Sequence, residues 1–371
     1  MGTGLKIGKI FGIPIELHVS WFLIFAMVTW SLASGLFPQE YPNMQSGLYW
    51  VLGVVTSLLF FGSVLLHELG HSVVALRDEV PVRKITLFIF GGLAQIEKEP
   101  PTSGSEFRIA IAGPLVSLAL AGFFGLLWLL DKPFSYLAAP SIWLARINLM
   151  LALFNMIPGF PLDGGRVLRA ILWQRIGNFY KATRIAGRVG SVVAYGFIGF
   201  GALTIFNGNF INGMWLIFIG FFLQNAASNN VAVSSFREAL HGTTVGRVMT
   251  YDFPKVPGNA VIQQLVDEQV LSTGQRYFMV ADNDQLEGLL TLRDITKIPQ
   301  RQWRFTAIRN AMVPLERLIT VSPQQELWEA LQTMDTNNIN QVPVCDDNEI
   351  RGVLSREQIV RYVRLRSELG V

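Results

Sequence analysis

From Tyr41 to Leu66 the chain carries no charged residue, a run long enough to cross a bilayer as a helix, and it ends in His67-Glu68-Leu69-Gly70-His71. Inside lipid every backbone N–H and C=O must find a partner within the chain, so a run like this is restricted to a helix packed among other helices. On that helix the i and i+4 positions face one way. His67 and His71 therefore offer two imidazoles to one metal, with Glu68 beside them as a base, in the H-E-x-x-H pattern of zinc hydrolases. Ionisable groups at the edge of a membrane span are costly unless paired or ligated, which makes this cluster a candidate site and not decoration. The bland alternative is a chance pattern on a buried helix.

The same hydropathy reasoning finds six spans, at about 19–37, 48–75, 107–130, 142–157, 185–206 and 210–226. Mean hydropathy is +0.38 and 51% of residues are hydrophobic, yet charge reaches ordinary soluble density from about Phe236 onward. The expected fold class is a multi-pass α-helical membrane protein followed by a soluble α/β module. A membrane part at 1–230 precedes a linker at 231–243, and the polar stretch from Gln224 to Ser235 leads into the soluble part. Net charge is only +3, and no Lys/Arg cluster interleaved with aromatics argues for nucleic acid. The single cysteine, Cys345, suits a reducing compartment. Met1 to Lys6 lacks the residues of a myristoylation pattern, and Ala33-Ser34-Gly35 lies too far in for a signal cleavage site.

Two further membrane-part segments carry information. Val82 to Glu97 contains two β-rich runs about Gly91-Gly92, a membrane-associated hairpin that could add a substrate strand beside the metal. Residues 5–16 read as a short strand or interfacial segment leading to His18 at the mouth of the first span, where a hydrogen-bonded interfacial histidine is the commoner case. Gly113-Pro114, early in the third span, marks a place where a kink is tolerated. The fourth span runs into Asn155-Met-Ile-Pro158-Gly-Phe-Pro161-Leu162-Asp163-Gly164-Gly165-Arg166. Its prolines and glycines break the helix at membrane depth, where irregular backbone is permitted only beside a cavity. Asp163 there is either the third ligand of a His2Asp site with an open fourth position, or a cap for the helix that follows.

The positive-inside rule gives an orientation. Lys6, Lys9, Arg77, Arg83, Lys84, Lys98, Arg166, Arg169, Arg175, Lys181, Arg184 and Arg188 all fall on the motif's side, against Lys132 in the opposite loops. Both termini and the active site are expected on the cytoplasmic face of the cell membrane. In the soluble part Val248-Met249-Thr250 and Gly288-Leu-Leu-Thr291-Leu-Arg-Asp294 return as Ala311-Met312-Val313 and Gly352-Val-Leu-Ser355-Arg-Glu-Gln358, an internal α/β repeat.

HELGH in the second span, with Asn155, Pro158, Pro161 and Leu162-Asp163-Gly164 in the fourth, resembles the site-2 protease family of intramembrane metalloproteases over residues 1 to about 230. The resemblance implies one zinc bound by His67, His71 and Asp163, water activation by Glu68, and help to the oxyanion from Asn155. It also implies a transmembrane protein substrate, such as a membrane-bound transcription regulator or anti-sigma factor, cut by regulated intramembrane proteolysis. The repeat is similar to a tandem pair of cystathionine-β-synthase (CBS) domains at 244–300 and 305–365, as in the CBS-bearing bacterial branch of that family. CBS pairs commonly bind adenine nucleotides (ATP, ADP or AMP) through Ser/Thr-x-x-Asp, which Thr291 and Asp294 match; Ser355 is followed by Gln358 where the pattern has Asp. A CBS pair serving homo-oligomer assembly alone is the alternative. The rival reading of the whole chain is a CBS-gated transporter or channel, for which broken helices and an intramembrane Asp are equally expected.

Overall fold

The computed structural model describes residues 4–369 apart from 43, 97, 132–134, 284 and 348, so Glu97 and Lys132 of the expectations above lie outside the described residues. Two compact units result, Met1–Ser234 and Ser235–Val371.

The first unit opens with β1 (Leu5–Ile10) and β2 (Ile13–Leu17), joined through Phe11 and Gly12, both in the left-handed region. The segment read as one short strand is thus a hairpin. Then follow α1 (Val19–Ser31), which passes through a π turn (Leu32–Leu36) into α2 (Phe37–Glu40), and α3 (Ser46–Arg77). β3 (Val82–Phe88) and β4 (Gly91–Ile96) form the expected hairpin, and α4 (Ser103–Asp131), α5 (Ser135–Asn155), α6 (Asp163–Ile176), α7 (Phe179–Phe206) and α8 (Phe210–Leu240) complete the unit. Among the described residues, six helical stretches are long and apolar enough to cross a membrane: Val19–Glu40, Ser46–Arg77, Ser103–Leu130, Tyr136–Asn155, Phe179–Phe206 and Phe210–Leu240. The protein is a membrane protein with six such spans. The last is longer than the sequence suggested, and residues 231–240, read as linker, continue α8. The reason is visible in that stretch, which holds neither Gly nor Pro to stop a helix.

The hairpins join into one sheet in the order β1-β2-β3-β4, with β2 and β3 parallel (Ile15 opposite Ile85) and the other pairs antiparallel. Parallel strands need a long crossover, and here α1 and α3 supply it. Alternate residues Ile13, Ile15, Ile85 and Leu87 are buried, and the first three pack on Leu69 of α3. Trp21 of α1 stacks on Phe25 at 5.1 Å and meets Phe61 of α3 edge-on at 5.2 Å. The motif helix is thereby wedged between sheet and bundle.

In the second unit β5 (Lys255–Pro257), β6 (Tyr277–Asp282), β7 (Gln285–Thr291) and β8 (Val313–Pro314) form one sheet, and β9 (Gln341–Asp346) pairs with β10 (Glu349–Ser355) in another. Short helices α9 (Ile262–Leu265), α10 (Leu271–Thr273), α11 (Leu292–Thr296) and α12 (Ile308–Ala311), then the longer α13 (Leu327–Thr336) and α14 (Arg356–Leu369), cover them. The repeats exchange their leading segments. Leu240, Val245 and Met249 are buried in the core of the second repeat with Leu327, Val342 and Leu354, while Ile308 is buried in the core of the first with Phe278 and Leu290.

Candidate metal centre

The periodicity of α3 puts His67 and His71 on one face, both 4% exposed, with ring centroids 4.9 Å apart and planes nearly perpendicular. Each ring is oriented from its Nδ1 side by α4. His71 Nδ1 donates to the Ile109 carbonyl at 2.6 Å, and His67 Nδ1 is hydrogen-bonded to the Ser117 hydroxyl at 2.8 Å. Both Nε2 atoms then point to one place, 3.3 Å from each other. This arrangement, a metal-facing nitrogen held by a hydrogen bond on the far nitrogen, is the usual support of a ligating histidine.

The third donor arrives from α6. Residues 156–162 turn sharply between α5 and α6 through a cis Phe160-Pro161 bond, and Asp163 is the first residue of α6. The turn lies hard against its neighbours: a Cβ on Gly190 of α7 would stand 2.4 Å from the Phe160 carbonyl oxygen, so that approach needs a glycine. Leu162 occupies the N-cap of α6, and the Asp163 carboxylate points to the imidazoles, with Oδ2 at 3.2 Å from His67 Nε2 and 3.2 Å from His71 Nε2.

The three donor atoms make a triangle with sides of 3.2, 3.2 and 3.3 Å. Tetrahedral zinc with bonds of about 2.0–2.1 Å to N and O has ligand–ligand edges of roughly 3.3 Å, so the triangle has the dimensions of one face of that tetrahedron. The donor chemistry agrees. Because His71 Nδ1 carries the proton given to Ile109, its Nε2 in the neutral ring is a bare lone pair aimed at a carboxylate oxygen, an arrangement that a cation between them makes favourable. Gly113 of α4 completes the cradle, since a Cβ there would lie 2.2 Å from His71 Nε2 and 2.7 Å from His67 Nε2. Among the described residues, His67, His71 and Asp163 are the group of His, Cys, Asp and Glu that could hold a metal ion.

Glu68, half-buried, follows His67 on α3, and its Oε2 accepts from the Ala94 N–H of β4 at 3.2 Å. A Cβ on Gly92 would stand 2.4 Å from Glu68 Cγ, so the close seat of this side chain on β4 requires glycine. Ala94 pairs with Ile85 across the β3–β4 ladder, and β4 ends the sheet, which leaves its outer edge toward Glu68. Asn155 is the last residue of α5, half-buried, where the turn to Asp163 begins. His18 belongs elsewhere: it caps α1, its Nδ1 accepting from the Ser20 N–H at 3.2 Å.

Sequence reasoning did not find Ile109, Ser117, Gly113 and Gly92. Gly113-Pro114 was open to view, but it reads as a helix irregularity until the neighbouring helix is known to be α3.

The soluble unit holds a cleft of about 310 Å³ whose walls include Thr291, Asp294, Lys297, Arg317 and Asn337. Thr291 caps α11, with its Oγ1–H donating to Asp294 Oδ2 at 2.5 Å, and Lys297 Nζ lies 2.8 Å from the other carboxylate oxygen. At the equivalent place in the second repeat, Gln358 Oε1 accepts from the Ser355 N–H at 2.7 Å and its Nε2 donates to the Thr250 hydroxyl.

Comparison with known proteins extends this picture. The family model described as peptidase family M50 matches residues 55–135 and 131–197, and the CBS domain model matches 245–301 and 308–365. A Synechocystis sp. protein provisionally named a zinc metalloprotease, sll0528, is 37% identical over 370 residues, covering 98% of this chain and 96% of that protein. The zinc metalloprotease MJ0392 of Methanocaldococcus jannaschii is 32% identical over 378 residues, covering 100% of this chain and 99% of the relative. A solved structure described as the site-2 protease from the same archaeon is 33% identical with a TM-score of 0.42, covering 62% of this chain and 95% of its own. The rival expectation of a gated transporter or channel gives way here. Similarity over nearly the whole length makes the chain a member of the M50 peptidase, or site-2 protease, family: a membrane zinc metalloprotease with tandem CBS domains.

Proposed function

We propose that this protease hydrolyses a peptide bond in or beside a transmembrane segment of another membrane protein, with His67, His71 and Asp163 holding one zinc and Glu68 acting as base. The observation that carries this reading is the convergence of two imidazole nitrogens and a carboxylate oxygen within 3.3 Å of one another, on helices belonging to or adjoining a set of six apolar spans. When bound, zinc supplies Lewis acidity toward a water and toward the scissile carbonyl. Glu68 takes the proton of the attacking water and passes it to the leaving amine. The Asn155 amide donates to the oxygen on which negative charge develops. The outer edge of β4, where Glu68 already takes the Ala94 N–H, supports an extended substrate through its remaining backbone groups, because a transmembrane helix shields its own peptide groups until it unwinds, and strand pairing stabilises the unwound form.

The substrate class is a membrane-anchored regulator, such as a transcription regulator or anti-sigma factor. The cytoplasmic face of the cell membrane carries both termini and the site, an orientation that rests on the loop charges. Residues 1–230 form the protease domain and 231–243 the link to CBS domains at 244–300 and 305–365. An adenine nucleotide, ATP, ADP or AMP, bound through Thr291 and Asp294 modulates cleavage, and the CBS pair supports a homo-oligomer.

The test uses the full chain in lipid bilayers, with zinc content and cleavage of a single-span membrane protein measured on the same preparation. One zinc per chain and a cut within or beside the apolar segment are expected. Zinc-loaded protein that cuts an unfolded soluble peptide and spares membrane-anchored chains would overturn the substrate class.

A further inference from the structure

One stripe of α4 serves the whole site. Ile109, Gly113 and Ser117, each about a turn from the next, meet His71, both imidazoles and His67 in that order. A turn before Ile109 stands Glu106, fully buried. Its Oε1 accepts from Nε of Arg169 at 2.8 Å and also from Nη2 of the same guanidinium. Arg169 lies within two turns of Asp163 on α6. The guanidinium stands over the rings of Phe160 at 5.1 Å and Phe179 at 4.5 Å, and its Nη1 is 3.5 Å from the Thr183 hydroxyl. A single side chain therefore ties the start of α6 to α4, to the turn that precedes Asp163, and to α7.

The chemistry proposed above uses neither of these charges. Adhesion alone explains them poorly, since desolvation offsets much of the attraction in a buried ion pair and an apolar pair of similar volume often holds helices as well. The distinctive property of the pair is direction. A planar guanidinium sending two N–H groups to one fixed oxygen, while its faces are clamped by rings, restricts both the rotation and the slide of α6 along α4. The rigid helix carries that restriction to its first residue, Asp163.

We propose that Glu106 and Arg169 are a positioning pair: they fix the register of α6 on α4, hold the Asp163 carboxylate at the His67 and His71 nitrogens, and so set how tightly the metal is bound. This rests on the assignment of those three residues as ligands.

The test measures zinc(II) affinity by chelator competition, and the visible absorption of the cobalt(II)-loaded protein, on the full chain in detergent. Glu106→Gln and Arg169→Lys should bind zinc(II) roughly ten- to a hundredfold more weakly, with an altered cobalt(II) spectrum. The double variant Glu106→Leu with Arg169→Met should keep the wild-type Tm and still show the weak binding and altered spectrum, which a merely adhesive role would not produce. Should Glu106→Gln fail to fold, Arg169→Lys decides, because it keeps the charge and loses only the planar fork. Wild-type affinity and spectrum in the single variants, with metal lost in Asp163→Ala, would overturn the positioning role alone, as would recovery of affinity in the apolar double. Wild-type zinc in Asp163→Ala would instead remove the ligand assignment and the proposal with it.

Discussion

Two aspartates, one in each unit, sit at the start of a helix beside the groups they are assigned to serve, and they differ in what satisfies them. Asp294 is satisfied within its own helix turn: Oδ2 takes the Thr291 hydroxyl and N–H, and Oδ1 takes Lys297. Asp163 faces two imidazole nitrogens, one of which has already committed its ring proton to the Ile109 carbonyl. The first constellation is complete without a ligand, and a nucleotide must displace existing bonds to use it. The second brings three possible metal-ligand atoms from two helices to one point. A carboxylate held within its own helix turn is a weaker marker of a binding site than one the fold brings to two imidazoles far away in sequence.

The largest effect should come from removing the Asp163 carboxylate. Asp163→Ala leaves two imidazoles and a void in the triangle, and we expect loss of bound zinc and of all proteolysis, read by metal analysis and substrate cleavage. Full zinc and full activity in this variant would mean that Asp163 merely begins α6. Glu68→Gln should separate the base from the ligands. Its zinc content should match the wild type while kcat/KM falls by about 10² to 10⁴, the usual contribution of a positioned general base. Near-normal cleavage in an assay where His67→Ala is dead would rule Glu68 out.

Gly113→Ala attacks the cradle from the opposite helix. The new Cβ cannot coexist with the present imidazole positions, so the rings must tilt and the triangle must open. Zinc affinity should fall on the order of a hundredfold, comparable to loss of a strong supporting contact. Unchanged affinity would mean that the histidines have room to move that their bonds to Ile109 and Ser117 do not suggest.

Much of this is legible in the sequence. The spans follow from uninterrupted hydropathy, and the histidine pair from i, i+4 spacing, because both are local properties of one helix. What stayed hidden depends on partners far away in sequence. The Ile109 contribution is a backbone carbonyl, which no side chain announces, and Ser117 and Gly113 lie on an apolar helix whose pattern does not say which face meets α3. The parallel pairing of β2 with β3 joins strands separated by two membrane spans, and nothing in either strand specifies that partner. Helix α8 runs on because a polar stretch free of Gly and Pro keeps its helical option, although its composition resembles a linker. In the soluble unit the repeat is plain, but the exchange of Val245–Met249 and Ile308 between cores is a consequence of packing alone.

The smallest effect belongs to the satisfied aspartate. If nucleotide binds through Asp294, the ribose hydroxyls must replace the Thr291 hydroxyl or share the carboxylate with it, so the gain is the difference between two sets of hydrogen bonds. A net hydrogen bond is worth about 1 kcal/mol, which predicts that Asp294→Ala weakens ATP, ADP or AMP binding only about five- to tenfold. Gln358→Ala should change affinity by less than about twofold on the same scale, since the amide already spends its oxygen on Ser355 and its nitrogen on Thr250, and offers no carboxylate to a ribose. Titration calorimetry on the three proteins, paired with cleavage at saturating nucleotide, reads both numbers. Equal affinities for wild type and Asp294→Ala would leave the capping bonds as the whole purpose of Thr291 and Asp294, and the CBS pair as an assembly module. A loss in Gln358→Ala as large as in Asp294→Ala would place the ligand across both repeats, and the contrast between the two capping residues would then disappear.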